Sequence, residues 1–297
     1  MRVLVTGATG FLGSRVARLL AGRHEVFATT RGKPVGDGLV PLVADLSQPL
    51  RAQAWPRVDA IVHLAQASNY SEFPSGANDV FAVAATATQM LLDYAIRTEA
   101  KRFVYASTGG LYAPSSRPLT ETDPVEIAPG PLAHYFACKR AGELLLASYA
   151  GVLDVTSMRI FFCYGPGQSE HMLIPRLTRS ILAGRAFPLQ GERGLRLNPI
   201  FVDDAAAIVT RLVERSAPET VNMAGSHVVT LEDIGRLLGR SLGKQPIFQR
   251  DPDVAAPSMV ADLTRLSSLA TLPPTTPDDG LARVAASLAG RDMEPCK

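Results

Sequence analysis

The sequence predicts an α/β fold, with a doubly wound parallel Rossmann sheet and a smaller, mixed C-terminal domain. Short apolar runs alternate with stretches of helical length up to about residue 166, which is typical of a parallel sheet covered by helices on both faces. A glycine-rich turn separates the first apolar run from the first helix. After Gly167, prolines interrupt shorter segments, which indicates a second, less regular domain.

Strands are predicted from the apolar runs, and helices from the longer stretches between them. Asp203 is a plausible N-cap for one helix, and Thr230 with Asp233 resembles a capping box for the next. We expect residues 1–166, joined by about 199–225, to form the Rossmann domain, and residues 167–198 and 226–297 to form a substrate-binding domain. The predicted strands are 2–6, 25–29, 39–43, 60–64, 102–106, 155–160 and 221–224, and the predicted helices are 11–21, 81–96, 134–149, 203–215 and 231–239.

The first turn, Thr6–Gly13, places glycines at G-x-x-G-x-x-G spacing between a strand and an amphipathic helix. Glycine tolerates the turn dihedrals and lets a ligand approach the backbone. The following helix points its N-terminus at the turn, where free N–H groups favour an anion. The pattern predicts a dinucleotide held by its pyrophosphate, although a glycine-rich turn without a ligand is the alternative. The expected contacts here are Gly7, Thr9, Gly10, Phe11 and Leu12.

The end of the second strand bears on which dinucleotide is bound. An NAD site usually offers an acidic residue there to the ribose 2′-hydroxyl, whereas an arginine accommodates a 2′-phosphate. This chain has Arg31 and Lys33 and no acid. We therefore expect NADP, with NAD as the alternative, since both cations could simply be solvated loop charges. Asp45 could receive the adenine amino group or cap a turn.

Residues that follow the parallel strands converge at one edge of such a sheet, and ligands bind outside that edge. The further cofactor contacts expected there are Leu46, Leu64, Ala65, Gln66, Ala106, Ser107 and Phe161.

A Tyr-x-x-x-Lys element, Tyr135 to Lys139, predicts a proton-transfer group. The two side chains share one helix face, so the ammonium can lower the tyrosine pKa towards neutrality and also reach the nicotinamide ribose. A hydroxyl from Ser107 or Thr108 could hold the substrate oxygen against the tyrosine, and we favour Thr108. Because this spacing is common on helices, the interpretation depends on its combination with the glycine turn.

Composition limits the function classes. The net charge of +2 argues against a dedicated nucleic-acid surface, and no apolar run of about 18 residues predicts a membrane span. The five histidines show no metal-ligand spacing, so no metal site is expected. We expect no signal peptide, because the chain begins in a strand. The three cysteines (Cys138, Cys163 and Cys296) form no evident disulfide set, which fits a reducing cytoplasm.

Two helices are apolar on more than one face, 81–96 and about 134–149. One face of each would pack on the sheet. The other could meet a second subunit, which favours a homodimer, or be covered by the chain's own loops.

Several motifs together resemble the extended short-chain dehydrogenase/reductase family, of the NAD-dependent epimerase/dehydratase type. Thr6–Gly13 resembles T-G-x-x-G-F-x-G, residues 59–65 resemble D-x-V-x-H-L-A, and 103–112 resemble F-V-Y-x-S-S-x-x-V-Y. Tyr135–Lys139 with Glu143 resembles Y-x-x-S-K-x-x-x-E. Further likenesses are 159–168 to R-x-F-N-V-Y-G-P-G-Q, 200–204 to the V-D-D helix start and 278–281 to E-G-L. The resemblance implies catalysis by Thr108, Tyr135 and Lys139, and a nucleotide-sugar substrate.

Departures from the family pattern qualify that implication. Dehydratases of the family carry an Asp-Glu pair where this chain has Gly109-Gly110, so 4,6-dehydration is not expected. Phe162 and Ala84 replace two asparagines, the first of which commonly helps to hold the nucleotide-sugar diphosphate. Arg196 and Asn198 could still contact a diphosphate or merely solvate a loop. The substrate residues expected on this basis are Ser68, Thr108, Phe162, His171 and Arg196.

Three functions are compatible with the sequence. The first is a reductase or dehydrogenase, in which hydride passes between the nicotinamide and a carbonyl or carbinol carbon while Tyr135 moves the proton. The second is a nucleotide-sugar epimerase that retains NAD. The third is a non-catalytic protein that senses cofactor state, against which the intact Thr108, Tyr135 and Lys139 argue.

Overall fold

The computed structural model describes residues 1–49, 54–216 and 220–289. Its strands are β1 (Arg2–Thr6), β2 (Glu25–Thr30), β3 (Leu39–Val43), β4 (Ala60–His63), β5 (Arg102–Thr108), β6 (Asp154–Ile160), β7 (Cys163–Tyr164), β8 (Phe187–Gln190), β9 (Arg196–Leu197), β10 (Ile200–Phe201), β11 (Thr220–Met223), β12 (Val229–Thr230), β13 (Phe248–Asp251) and β14 (Ser258–Met259). Its α-helices are α1 (Gly13–Ala21), α2 (Ala77–Phe81), α3 (Ala87–Thr98), α4 (Ala133–Ala147), α5 (Leu173–Leu182), α6 (Val202–Glu214), α7 (Leu231–Leu242), α8 (Thr264–Leu269) and α9 (Pro277–Ala289).

A seven-stranded sheet in the order β11-β6-β5-β4-β1-β2-β3 organises the chain. All its neighbouring strands pair in parallel. The strand order reverses between β1 and β4, and ligands of doubly wound sheets bind at such a point. The predicted Rossmann sheet is therefore confirmed.

Helices cover both faces of this sheet because its strands are apolar on both sides. Val3 and Val5 point into one hydrophobic cluster, which α1 and α6 complete. Leu4, between them, points into the opposite cluster beneath α3 and α4. The alternation follows from the two-residue period of a strand. Because the strands are parallel, their carboxyl ends all lie at one edge of the sheet.

Smaller sheets make up the rest of the fold. β9 pairs antiparallel with β12 and parallel with β14, so this region is mixed, as predicted. A third cluster joins α5, α7 and α9. The domain boundaries stay a prediction, and residues 290–297, including Cys296, lie outside the described residues.

Most predicted element boundaries shift by one to three residues in the structure, and larger differences concern the helix predicted over 81–96 and the cap of α6. Helical backbone runs from Ala77 to Thr98 and includes a π-helical turn at Ala82–Thr86. The N-cap of α6 is Phe201, so the prediction of Asp203 as N-cap is wrong. Asp203 instead lies in the first turn, where it pairs with Arg15 and Arg283. The predicted capping box of α7 is confirmed, with Thr230 and Asp233 bonding each other's backbone N–H groups.

Candidate active site

A cavity of about 960 Å³ lies at the carboxyl edge of the sheet. It is lined by residues that follow β1 to β6 and by the first turns of α4. Sequence-predicted residues that line it are Gly7, Thr9, Gly10, Phe11, Leu12, Arg31, Asp45, Leu46, Leu64, Ala65, Gln66, Ser68, Ala106, Ser107, Thr108, Tyr135, Lys139, Phe161 and Phe162.

The glycine turn is shaped by close backbone approaches. Gly7 has a φ of +69°, and a Cβ there would lie 2.8 Å from the amide nitrogen of Ala65. A Cβ at Gly13 would overlap the carbonyl of Gly7. The N-cap of α1 is Leu12, whose side chain caps nothing, so the helix presents N–H groups and a positive dipole end at the cavity. The turn fits the pyrophosphate of a dinucleotide.

A buried histidine, His63, joins the carboxyl end of β4 to the end of β1, where the glycine turn begins. The Nε2 of His63 lies 3.2 Å from the carbonyl of Val83, and its Nδ1 lies 2.6 Å from the Thr6 hydroxyl. Because the carbonyl only accepts, Nε2 carries the proton and Nδ1 accepts from Thr6. The Thr6 oxygen in turn accepts the N–H of Ala65. Burial lowers the pKa of His63 to about 3, which keeps the ring neutral and this tautomer fixed.

The far end of the cavity carries two exposed cations, Arg31 and Lys33, after β2. Thr30 donates to the carbonyl of Lys33 at 2.6 Å and so fixes the loop between them. Asp45 accepts from both the backbone and the hydroxyl of Ser47, and these bonds, together with Arg31, hold the pKa of its carboxyl below the usual value. Asp45 therefore caps a turn, and it also lines the cavity.

Tyr135 and Lys139 line the cavity from the first two turns of α4. The Lys139 ammonium donates to the carbonyl of Ala106 at 2.8 Å and lies 5.9 Å from the centroid of the Tyr135 ring. Burial raises the pKa of Tyr135 well above its usual range, which a hydrogen bond with Thr108 partly opposes. The expected lowering of this pKa by Lys139 is wrong for the arrangement described, because the ammonium is turned towards Ala106 and is itself desolvated. Burial lowers the pKa of Lys139 to about 7.

Thr108 and Ser107 have different partners. The Thr108 hydroxyl accepts the N–H of Gly110 at 3.1 Å at the mouth of the cavity. The Ser107 hydroxyl donates to Glu143 at 2.6 Å, inside a buried network that includes Arg159 at 2.8 Å from the same carboxylate. Ser107 is thus committed to the network behind the site, and Thr108 is placed towards Tyr135.

Two glutamines in the cavity wall carry buried polar atoms, and the sequence predicts only the first of them, Gln66, as a cofactor contact. The side-chain amide nitrogen and oxygen of Gln66 are buried without a hydrogen-bond partner among the described residues, and so is the side-chain oxygen of Gln168. Buried polar atoms of this kind indicate a missing partner, so the cavity is built to receive a polar ligand. No local sequence signal marks these atoms, since their partners depend on the whole cavity.

Two predicted substrate contacts, His171 and Arg196, are not brought to this cavity, and neither is Asn198, the other residue considered for a diphosphate. His171 is exposed, and its neighbour Met172 lines the wall instead. Arg196 is exposed on β9 and is absent from the lining. Asn198 is buried, and its side-chain amide bonds the carbonyl and the N–H of Ala261 at 3.0 Å each.

Among the described residues, no group of three or more His, Cys, Asp or Glu side chains could hold a metal ion. The described helices include none long and apolar enough to cross a membrane.

The comparisons with known proteins agree with this geometry. A family model described as the NAD dependent epimerase/dehydratase family matches residues 3–224. A dTDP-glucose 4,6-dehydratase of Streptomyces niveus is 31% identical over 267 residues, covering 82% of this chain and 78% of the relative. A probable UDP-glucuronate 4-epimerase of Rhizobium meliloti is 26% identical, covering 95% of each chain. The UDP-glucose 4-epimerase of Thermus thermophilus, solved in complex with NAD, superposes with a TM-score of 0.82 at 25% identity, covering 98% of this chain and 99% of that one.

Proposed function

This chain belongs to the NAD-dependent epimerase/dehydratase family of extended short-chain dehydrogenases/reductases, and from that premise we propose that it is a reductase or dehydrogenase in which Tyr135 is the acid/base. The observation that carries the proposal is that Thr108, Tyr135 and Lys139 together line the cavity that the glycine turn opens.

The residues present would hold a nicotinamide dinucleotide along the carboxyl edge of the sheet. The glycine turn would hold the pyrophosphate, and Lys139 would reach the nicotinamide ribose. The side-chain amide of Gln66, which has no partner among the described residues, would form hydrogen bonds with the bound ligand. When bound, the dinucleotide supplies or accepts a hydride at the substrate carbon.

The chain's own residues move the proton. Thr108 would hold the substrate oxygen by a hydrogen bond, next to the phenol. In the direction of reduction, Tyr135 donates its O–H proton to that oxygen as the carbon receives the hydride, and a ketone becomes an alcohol. The raised pKa of Tyr135 suits this direction, because it keeps the phenol protonated until the oxygen becomes basic.

A nucleotide-sugar epimerase is the second candidate, and the similarity to the Rhizobium and Thermus epimerases favours it. The two functions differ in how firmly the cofactor is held. The first experiment is mass spectrometry of the nucleotide released from the purified protein, followed by titration with NADPH and NADH. An empty or freely exchanging site supports the reductase. Retained NAD that NADPH does not displace supports the epimerase.

NADP is the cofactor that we propose, because Arg31 and Lys33 lie at the edge of the cavity next to Asp45. The 2′-phosphate of NADP would be paired there by two cations. NAD remains the alternative that the same titration measures.

We also propose a homodimer formed through α3 and α4. These helices lie side by side, and Leu144 is 56% exposed on α4, while Phe81, the last residue of α2 and separated from α3 by the π-helical turn, is 52% exposed. Sedimentation of the protein and of Leu144→Asp tests this, and an unchanged monomeric mass for both would contradict it. The free thiols of Cys138 and Cys163 support a reducing, cytoplasmic location.

A further inference from the structure

Charge is distributed unevenly along the cavity. Among its described lining residues the cations are Arg31, Lys33 and Lys139. Arg31 and Lys33 follow β2, which lies three strands away from β5 in the sheet. At a strand spacing of about 4.8 Å, the two strands lie roughly 14 Å apart across the sheet. Lys139 is buried and bonds the carbonyl of Ala106.

A group of large apolar side chains lines the cavity near Tyr135, in a lining that also includes the polar side chains of Ser68, Asn69 and Gln168. We call this group the substrate end, formed by Leu132, Phe136, Phe162, Met172 and Met259. The Phe136 ring lies 5.4 Å from that of Tyr135. Tyr70, whose ring lies 5.0 Å from Tyr135, bonds the sulfur of Met172. Phe162 and Met259 pack against one hydrophobic cluster.

Phe162 is held in an unfavourable backbone conformation. Its φ is +45°, in the left-handed region where a bulky residue is rare and asparagine is several-fold enriched. Such a residue is strained, and it persists only where its surroundings require it. Phe162 packs against the clusters on both sides of it, so its ring is fixed as part of the cavity wall.

A diphosphate would find little to pair with at the substrate end. In a nucleotide sugar the diphosphate is attached to the ring that reacts, so it must lie within about one sugar ring of Tyr135. Arg196 and His171 do not line the cavity, and the Asn198 amide is occupied by Ala261. The cavity lining also includes the acids Asp79 and Glu126, which would repel the anion. A buried anion without a cation is strongly disfavoured.

From this arrangement we infer that the substrate carries no diphosphate, and that it is an uncharged ketone or secondary alcohol with an alkyl or aromatic body that packs on Phe136, Phe162 and Met259. The inference rests on the proposed hydride transfer, whose carbonyl or carbinol oxygen Thr108 and Tyr135 would hold.

Calorimetric titration of the full chain, saturated with NADP, tests the inference. The probes are UDP-glucose, UDP-glucuronate and the methyl ketones from 2-butanone to 2-undecanone. We expect the Kd of the ketones to fall about three- to fourfold per methylene until the substrate end is filled, and the longest ketones to bind more tightly than either UDP-sugar. Tighter binding of a UDP-sugar would overturn the inference, and so would a series of ketones that shows no gradient.

A matched pair of variants locates the binding. Phe162→Asn removes the ring and suits the positive φ, so we expect it to remain folded by thermal unfolding while its affinity for 2-nonanone falls at least fivefold. Val152→Asn makes the same kind of change at a side chain that is 72% exposed away from the cavity, and its affinity should equal that of the unaltered protein. Equal ketone affinity in Phe162→Asn would overturn the proposed wall.

Turnover distinguishes the two proposals. Ketones that bind with the expected gradient but are not reduced with NADPH would contradict the proposed reductase and leave the substrate class standing. Conversion of a UDP-sugar would support hydride transfer and overturn the substrate class.

Discussion

The ring of Phe136 fills the space beside the Cα of Gly110, so that a Cβ built at Gly110 would overlap the ring. This contact explains locally why an acid pair cannot follow Thr108 in this chain, where Phe136 and Phe161 fill the space beside the two glycines. A Cβ at the neighbouring Gly109 would likewise lie 2.6 Å from the ring of Phe161. The wall that replaces the acids is therefore aromatic.

This contact predicts that Gly110→Ala destabilises the protein by about 1–3 kcal/mol, the usual cost of overpacking. In the Phe136→Ala background the same change should cost nothing or stabilise, because Gly110 does not have a positive φ. Urea unfolding of the two single variants and the double variant measures the coupling. Gly130→Ala is the control, since a Cβ there meets nothing within 4 Å. Additive free energies would contradict the overlap.

Tyr135→Phe should reduce turnover roughly 100-fold or more, as expected for the loss of general acid catalysis. The cofactor Kd should change less than threefold, because the ring remains in place. Turnover is followed by NADPH oxidation with the substrate that the binding series identifies. Tyr149→Phe removes a phenol hydroxyl from the far end of the α4 region, where it bonds Asp93, and serves as the control. Near-normal turnover in Tyr135→Phe would exclude the proposed proton transfer.

The seven strands of the main sheet and five of the nine described α-helices could be predicted because their signals are local, whereas the short strands β7–β10 and β12–β14 carry no such signal. The two-residue alternation of β1 and the glycine spacing after it need no information from elsewhere in the chain. The bond between Thr6 and His63 joins residues 57 positions apart, so the local pattern contains no sign of it.

The prediction that Arg196 contacts the substrate fails for a similar reason, because it depends on pairing with distant residues. Arg196 and Leu197 are adjacent on β9, and a strand turns successive side chains to opposite sides. The structure buries Leu197 and exposes Arg196. Which of the two faces inward depends on the pairing of β9 with β12 and β14, and a shift of one residue would exchange them. The sequence alone does not determine that register.

Arg31→Ala should weaken NADP binding by about tenfold or more and change NAD binding less than threefold. The reason is that a charge-assisted bond to the 2′-phosphate would be lost only with NADP. Fluorescence titration with each nucleotide measures both constants. Arg185→Ala, at an exposed arginine outside the cavity lining, is the control. Equal losses for the two nucleotides would mean that Arg31 does not select between them.

Gln66→Ala should weaken dinucleotide binding about three- to tenfold, the contribution of one or two hydrogen bonds. The cofactor-free variant should be no less stable than the unaltered protein, because the deleted amide is buried without a partner. Gln168→Ala is the contrasting variant, since its side-chain nitrogen donates to the carbonyl of Cys163 at 2.7 Å and the loss should lower the unfolding midpoint. A destabilised Gln66→Ala with unchanged nucleotide affinity would refute a ligand-facing amide.

Lys139→Met should change how stability depends on pH. Burial lowers the pKa of Lys139 to about 7 in the folded chain, whereas an unfolded lysine titrates near 10.4. Between these pH values the unfolded chain binds one more proton at Lys139 than the folded chain does. The contribution of Lys139 to the free energy of unfolding therefore rises with pH by up to about 1.4 kcal/mol per pH unit, and it falls as the pH drops towards 7.

The methionine variant lacks this dependence while keeping every other titrating group. The difference in unfolding free energy between the cofactor-free protein and Lys139→Met should therefore grow in favour of the lysine from pH 8 to 9.5, measured by urea unfolding at each pH. Lys101→Met, at an exposed lysine, should give a curve parallel to that of the unaltered protein. If the Lys139→Met curve were also parallel, the ammonium would not be desolvated in the folded chain, and its proposed place beside Ala106 at the nicotinamide end would be wrong.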